Sequence, residues 1–164
     1  MAPDINPDYP LGINMIELAQ TSITITAAID RVFNYVANME NYKSWFPGVV
    51  DIRSANDLAH GAIGKKYVEV LSLPSGAAEL EIEVDQCQLN KLFLTKGNLA
   101  GILPQMTVAF SVNEDSGCEV KLQYHSRSPD LTPTSDIVLA LREDLNIRAN
   151  DAVARLKAIM EQVG

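Results

Sequence analysis

The sequence predicts an α+β domain in which helices lie at the two ends of an antiparallel sheet. Three observations lead to this prediction. Apolar and polar residues alternate through much of residues 49–127, the period changes to helical spacing at Ala27, and a second helical stripe follows Pro133. A chain of 164 residues suits one domain with a core and a pocket. We expect a flexible N-terminal arm at residues 1–12 and a single domain at residues 13–164.

A strand and two short helices come first. The strand begins near Ile16, and further along it Ile23 and Ile25 alternate with threonines. The first helix is indicated by apolar residues at helical spacing, namely Ile29, Val32, Phe33 and Val36. A second helical turn runs from about Glu40 to Trp45 and ends at Pro47-Gly48, because this pair breaks a helix.

Six further strands are expected, at residues 49–54, 65–73, 78–88, 91–96 and 105–112, and from residue 118 onward. Residues 74–76 and 113–117 provide turns. The alternation predicts one wet face and one covered face. The covered set should face the last helix and comprises Leu80, Ile82, Val84, Val108, Phe110, Val120 and Leu122, and Met106 and Val112 share the face of Val108. The wet set comprises Glu79, Glu81 and Glu83.

The last element is a long helix, which Thr134 or Ser135 caps and which runs to about Gln162. Its apolar stripe comprises Val138, Leu141, Leu145, Ala149, Ala152, Leu156 and Ile159. We expect Leu141, Leu145, Leu156 and Ile159 to be buried. If Leu145 is fully enclosed, Leu145→Ala should cost roughly 2–5 kcal/mol.

Composition excludes several classes of function. The formal charge of −8 argues against a nucleic-acid partner and against anionic membrane surfaces, since both select clustered basic residues. No segment approaches the ~20 apolar residues of a membrane span, so we expect no stable membrane insertion. The N-terminal residues have no basic region and no apolar run, which predicts a cytoplasmic protein without a signal peptide. Cys87 and Cys118 should accordingly be reduced and partly buried.

Two segments of the sequence resemble a known family. The first is residues 28–49, Ala-Ile-Asp-Arg-Val-Phe-Asn-Tyr-Val-Ala-Asn-Met-Glu-Asn-Tyr-Lys-Ser-Trp-Phe-Pro-Gly-Val. The second is the junction Gly61-Ala-Ile-Gly-Lys-Lys-Tyr-Val-Glu69. With the order of elements, they resemble the polyketide cyclase/dehydrase-like branch of the START-like (SRPBCC) superfamily. The resemblance implies a helix-grip fold: a curved seven-stranded antiparallel sheet wrapped around the long C-terminal helix, with two short helices after the first strand and a cavity between sheet and helix. The family includes hydrophobic-ligand carriers, aromatase/cyclases and proteins without assigned activity, so it predicts the fold more sharply than the function.

The aromatic run Tyr42-Lys-Ser-Trp-Phe46 has two possible roles in such a fold. Trp45 and Phe46 would lie at the rim or floor of the cavity, or they would fill the gap between short helix and sheet. We favour the filling role for Phe46 and leave both roles open for Trp45.

The titratable residues offer little chemistry. His60 and His125 lack matching ligands, which predicts surface histidines and no metal or cofactor. Glu69 is the weak catalytic candidate, because an inward orientation would raise its pKa. Neither face of its strand is purely apolar, and we favour the outward orientation. Arg142 could reach a ligand carboxylate, but we favour extension of its guanidinium to water.

The leading hypothesis is therefore binding of a small hydrophobic or aromatic molecule in an internal cavity. The alternative is a polyketide cyclase/aromatase- or dehydratase-type enzyme that uses the same cavity. A third hypothesis is an interaction module whose interior is filled by side chains. The protein would be a monomer or a homodimer. The predicted cavity residues are Tyr35, Trp45, Tyr67, Phe110, Tyr124, Leu141, Arg142 and Leu145.

Overall fold

The computed structural model describes residues 15–73, 76–114 and 117–162. The predicted arm at residues 1–12 and the centres of two predicted turns, 74–75 and 115–116, lie outside the described residues. The elements are β1 (Ile16–Ile25), α1 (Ile29–Ala37), a 3₁₀ turn (Met39–Asn41), α2 (Tyr42–Trp45), β2 (Val49–Ser54), β3 (Lys66–Leu73), β4 (Gly76–Gln88), β5 (Leu92–Asn98), β6 (Pro104–Val112), β7 (Cys118–Ser126) and α3 (Asp136–Gln162).

The seven strands form one antiparallel sheet in the order β1-β7-β6-β5-β4-β3-β2. The sheet is open, with β1 and β2 as its edges. Strands β2 to β7 pair with their chain neighbours, as a meander does, and β1 closes onto β7. The predicted α+β class and the predicted helix-grip arrangement are both confirmed.

The alternation of side chains in the sheet follows the prediction. The predicted covered residues of β4, β6 and β7 are all buried, while Glu79, Glu81 and Glu83 are exposed. Val112 stays in phase with Val108 and Phe110, as predicted, but it is 71% exposed. It is the last residue of β6. The predicted alternation of the sheet is therefore confirmed.

Helix α3 runs alongside the edge strand β1 and shields it. Polar side chains of α3 donate to carbonyl groups of β1 or accept from its amides, which occupies an edge that would otherwise be free to pair. The bonds join Arg142 to Glu17, Asn146 to Leu18, Lys157 to Thr24 and Glu161 to Thr26. The edge is thus closed by the helix rather than by another strand.

Ser135 is the residue that caps α3, because its hydroxyl accepts a hydrogen bond from the amide of Val138 at 3.3 Å. Leu156 is fully buried, as predicted. Leu141, Leu145 and Ile159 are only partly buried, so the prediction of their full burial was wrong. For Leu141 and Leu145 the reason is that the first half of α3 lies over a cavity instead of over packed side chains, whereas Ile159 lies near the end of the helix and does not line that cavity.

No helix in the described part of the chain is both long and apolar enough to cross a membrane. Both cysteines are free: Cys118 is buried and Cys87 is half-buried. Burial raises the pKa of both thiols, which keeps them protonated and unreactive.

Candidate functional site

A cavity of about 110 Å³ lies between the inner face of the sheet and the first half of α3. A second compartment of about 40 Å³ adjoins it deeper in the sheet. Both compartments share five residues, which form the boundary between them: Tyr42, Glu69, Leu80, Pro104 and Tyr124. The two compartments therefore adjoin at a wall that contains Tyr42, Glu69 and Tyr124.

Glu69 lies on the inner face of β3 and is 7% exposed, so the favoured outward orientation was wrong. The cause is the register with β4. Glu69 is paired with Leu80, and Tyr67 is paired with Ile82. Residues directly opposite each other in an antiparallel pair point to the same face. Because the alternation of β4 places Leu80 and Ile82 inside, Glu69 is carried inside with them.

The carboxyl group of Glu69 makes no hydrogen bond and no ion pair with any residue that the structure describes. Burial raises its pKa to about 7, because the low-dielectric interior disfavours the charged form. Near neutral pH the carboxyl group is therefore protonated in part of the molecules and ionised in the rest. A carboxyl group in this state can accept or donate a proton.

Tyr42 of α2 and Tyr124 of β7 reach the same region, and their hydroxyl groups hydrogen-bond to each other. Burial raises the pKa of both phenols well above the usual value, and the neighbouring Glu69 adds to this effect. Both tyrosines therefore stay neutral. One carboxyl group and two hydroxyl groups thus lie at the boundary between the two compartments.

The aromatic run 42–46 forms one wall of this region. The ring of Tyr42 stacks on Phe46 with centroids 5.1 Å apart, and Phe46 contacts the ring of Tyr124 at 5.4 Å. Trp45 is 1% exposed and packs edge-on against Tyr42. Phe46 contributes to the lining of the larger compartment, whereas Trp45 supports Tyr42 from outside that lining. The indole nitrogen has no hydrogen-bond partner among the described residues.

Arg148 of α3 lies at the outer end of the cavity. Its guanidinium group pairs with Asp144 at 3.1 Å and donates weak hydrogen bonds to the carbonyl groups of Pro47, at 3.5 Å, and Ser72, at 3.4 Å. It therefore ties the helix to the turn after α2 and to the end of β3. The turn allows this only because Gly48 has no side chain. A Cβ at Gly48 would lie 1.9 Å from Arg148 Nη1.

Four residues of the predicted site line the cavity: Glu69, Tyr124, Leu141 and Leu145. Phe110 lies elsewhere in the core, where its ring contacts Phe33 edge-on at 5.1 Å. Tyr35 is half-buried against the core. A ligand contact for these two residues stays a prediction.

Tyr67 and Arg142 also lie apart from the cavity lining. The Tyr67 hydroxyl hydrogen-bonds to Nδ1 of His60 at 2.6 Å. Arg142 donates to the carbonyl of Glu17 at 2.9 Å, and this hydrogen bond to the edge strand lies at the exposed surface. His60 is exposed, as predicted, but its ring covers that of Tyr67. His125 is half-buried, not on the surface as expected.

Sequence analysis missed Tyr42, Asp144 and Arg148. For the two helical residues a signal existed, because positions 141, 144, 145 and 148 recur at i, i+3, i+4 and i+7 on one face of a helix. Tyr42 gave no such signal, since α2 is a single turn. Within residues 15–73, 76–114 and 117–162, no group of three His, Cys, Asp or Glu side chains could hold a metal ion.

No family model and no curated protein matches the chain in sequence. Solved structures match it in fold. The di-domain ARO/CYC StfQ from the steffimycin biosynthetic pathway is 14% identical, with a TM-score of 0.71 over 90% of this chain. The chain spans about half of StfQ, 51%. A START superfamily protein from Mycobacterium smegmatis is 10% identical, with a TM-score of 0.69 over 90% of this chain and 99% of that protein.

The chain has the START-like (SRPBCC) fold. Ara h 8.0201 has the same fold, with 10% identity and a TM-score of 0.68 over 91% of this chain and 99% of that protein. At these identities the likeness concerns the START-like fold alone, and one fold serves many functions. The residues that these proteins use do not transfer to this chain by alignment, so its function is argued from its own cavity.

Proposed function

We propose that this START-like chain binds a small hydrophobic or aromatic molecule in the cavity between the sheet and α3. The observation that carries the proposal is the cavity itself, which mostly apolar side chains line and whose two compartments adjoin at three polar groups, Tyr42, Glu69 and Tyr124. Binding sites of small molecules have this composition: apolar walls for affinity and a few polar groups for orientation. A core evolved only for stability would exclude an unpaired carboxyl group.

The size of the cavity limits the ligand. The larger compartment, about 110 Å³, is below the range of about 300–1,000 Å³ that is typical of drug-sized ligands. An apolar cavity of about 150 Å³ accommodates benzene. The two adjoining compartments, about 110 Å³ and about 40 Å³, together reach that size, so we infer a ligand no larger than one ring with one small polar substituent. A protein that binds no ligand is the competing hypothesis, which a direct binding experiment distinguishes.

Binding is tested with benzyl alcohol, by changes in amide chemical shifts and in the thermal midpoint. The matched variants are Leu145→Trp, which fills the cavity from a half-buried lining position, and Leu139→Trp on the exposed side of α3. We expect shifts at residues around Tyr42 and Glu69 in the native protein and in Leu139→Trp, and a loss of these shifts in Leu145→Trp. Equal responses in both variants, or no response in the native protein, would contradict the proposal.

The pKa of Glu69 supports a second candidate, an enzyme of the cyclase or dehydratase type. In its elementary step, the ionised Glu69 takes a proton from a carbon next to a carbonyl group. A tyrosine hydroxyl hydrogen-bonds to the oxygen of the resulting enolate, the protonated Glu69 exchanges its proton for a deuteron of the solvent, and Glu69 then delivers that deuteron to the same carbon. Incorporation of deuterium from solvent into cyclohexanone measures this step. Glu69→Gln should abolish any incorporation above the buffer rate, whereas Glu83→Gln, on the exposed face of β4, should not.

The remaining properties follow from charge and thiol chemistry. Two free cysteines suit a reducing compartment, which supports a cytoplasmic location.

The net charge of −8 disfavours nucleic acid as a partner. The protein would act as a monomer or a homodimer, which sedimentation or light scattering measures directly.

A further inference from the structure

We propose that the ligand is a small organic amine, whose ammonium group binds to Glu69 and whose apolar body fills the cavity under α3. This inference rests on the proposed function and specifies its ligand class. It starts from the fact that Glu69 is buried and has no partner among the described residues. A buried carboxyl group without a partner is unfavourable, and a ligand cation would supply the missing partner.

The charged groups around Glu69 leave room for that cation. Tyr42 and Tyr124 face the carboxyl group and are neutral, because burial holds their pKa values well above the usual one. Arg148 and Asp144 lie at the outer end of the cavity and pair with each other. The pKa of Glu69 is shifted by burial and not by a neighbouring cation. Within residues 15–73, 76–114 and 117–162, no cationic side chain therefore pairs with this carboxyl group.

The other polar groups also suit an ammonium ion. A primary ammonium donates three hydrogen bonds. The Glu69 carboxylate and the hydroxyl oxygens of Tyr42 and Tyr124 are acceptors that meet at the same boundary of the cavity. The rings of Tyr42, Phe46 and Tyr124 surround the same place, and aromatic faces attract cations. A ligand carboxylate would instead meet the like charge of ionised Glu69.

Three ligands of nearly equal size test the inference by calorimetry and amide chemical shifts: benzylamine, benzyl alcohol and benzoate. At pH 8, where Glu69 is ionised, we expect benzylamine to bind at least tenfold more tightly than benzyl alcohol, and benzoate to bind most weakly. Below pH 7 each binding event must first release the Glu69 proton. The affinity for benzylamine should therefore rise by up to tenfold per pH unit between pH 5 and pH 7 and then level off. The affinity for benzyl alcohol should not rise.

Glu69→Gln keeps the shape of the side chain and removes its charge. We expect this variant to lose both the preference for benzylamine and the pH dependence, while Glu83→Gln retains both, because Glu83 is exposed on the outer face of β4. The pH profile of the native protein tests the inference independently of the variant's folding.

Equal affinities for benzylamine and benzyl alcohol at pH 8, tighter binding of benzoate, or unchanged amine binding in Glu69→Gln would each overturn the amine inference. In those cases the cavity still binds a ligand and the proposed function stands. If none of the three compounds shifts the resonances around the cavity, both proposals fail.

Discussion

The hydroxyl groups of Tyr42 and Tyr124 hydrogen-bond to each other across the interior, although 82 positions separate the two residues in the chain. Tyr42 belongs to the single-turn helix α2, and Tyr124 belongs to β7, the strand next to the edge strand β1. This bond joins the short helical segment to the sheet at the boundary of the cavity. Because both phenols are buried, each hydroxyl depends on the other for a partner.

The first prediction concerns this pair. Tyr42→Phe or Tyr124→Phe leaves one buried hydroxyl unpaired, and we expect each change to lower the free energy of unfolding by about 1–3 kcal/mol. The double variant should lose less than the sum of the two single losses, since it leaves no orphan hydroxyl. Urea unfolding of the four proteins measures the coupling. Strictly additive losses would mean that the two hydroxyls do not stabilise each other.

The second prediction concerns the pH dependence of stability. Glu69 has a pKa of about 7 in the folded protein and an ordinary value of 4.5. The folded state therefore binds this proton more tightly than the unfolded state does. Burial of Glu69 imposes no ionisation cost below pH 4.5, and the cost grows as the pH rises to 7 and then stays constant. This shift corresponds to a loss of about 3 kcal/mol.

Unfolding free energies at pH 4.5 and pH 8 measure this effect. Relative to Glu69→Gln, which has no ionisable group at this position, the native protein should lose about 3 kcal/mol between the two values. Glu83→Gln is the control and should follow the native protein, because its side chain is exposed. Parallel pH profiles of the native protein and Glu69→Gln would show that the carboxyl group is not desolvated.

The orientation of Glu69 marks the limit of what periodicity predicts. Strand β4 has an unambiguous pattern, so Leu80 and Ile82 were predicted correctly as inward. In β3 both faces mix apolar and charged residues, so the local pattern does not indicate which face points into the core. The orientation of β3 is set by its pairing with β4, because Glu69 lies opposite the inward-facing Leu80. A partly polar inner face is also where function interrupts the regular pattern of a fold.

The aromatic run 42–46 shows a second limit. Sequence analysis assigned Trp45 and Phe46 either to the cavity or to the gap between helix and sheet, and the rings of the run divide between these two roles. Tyr42 and Phe46 line the cavity, and Trp45 packs behind Tyr42. In a helix of one turn the direction of each side chain is set by tertiary contacts, which the sequence of the run does not contain. Trp45 is nonetheless one ring away from the ligand space, so its fluorescence should respond to binding.

The third prediction separates the two halves of α3. Leu156 is fully buried, and Leu156→Ala should cost roughly 2–5 kcal/mol of unfolding free energy. Leu145 is half-buried at the cavity, and we expect Leu145→Ala to cost less than Leu156→Ala because part of its surface is already free of packing. Urea unfolding compares the two variants. A larger loss in Leu145→Ala would mean that the first half of α3 is packed as tightly as the second.

The variants Leu145→Ala and Leu156→Ala also distinguish effects on stability from effects on ligand binding. Leu145→Ala enlarges the cavity and should change the affinity for benzyl alcohol, whereas Leu156→Ala should leave that affinity unchanged, because Leu156 does not line the cavity. Affinity is measured at a temperature at which both variants are folded. Equal changes in affinity would indicate that the two halves of the helix respond as one unit.

The fourth prediction concerns Gly48 and Arg148. Gly48 has φ of +93°, in the region that favours glycine, and a side chain there would collide with the guanidinium of Arg148. Gly48→Ala introduces both the unfavourable backbone conformation and the collision. The backbone conformation alone should lower the free energy of unfolding by about 1–2 kcal/mol. Arg148→Ala removes the collision but not the backbone strain. We therefore expect Gly48→Ala to be less harmful in an Arg148→Ala background than in the native protein, although still destabilising.

This difference is measured by urea unfolding of four proteins: the native chain, the two single variants and the double variant. Ligand kinetics give a second readout, since Arg148 ties α3 to the turn at Pro47 and to Ser72 at the outer end of the cavity. Arg148→Ala breaks these ties, so benzyl alcohol should enter and leave faster, with a smaller change in the dissociation constant than in either rate. Line shapes in NMR titrations report the exchange rate. Unchanged exchange in Arg148→Ala, together with additive losses of stability, would show that Arg148 neither presses on Gly48 nor restricts the entrance.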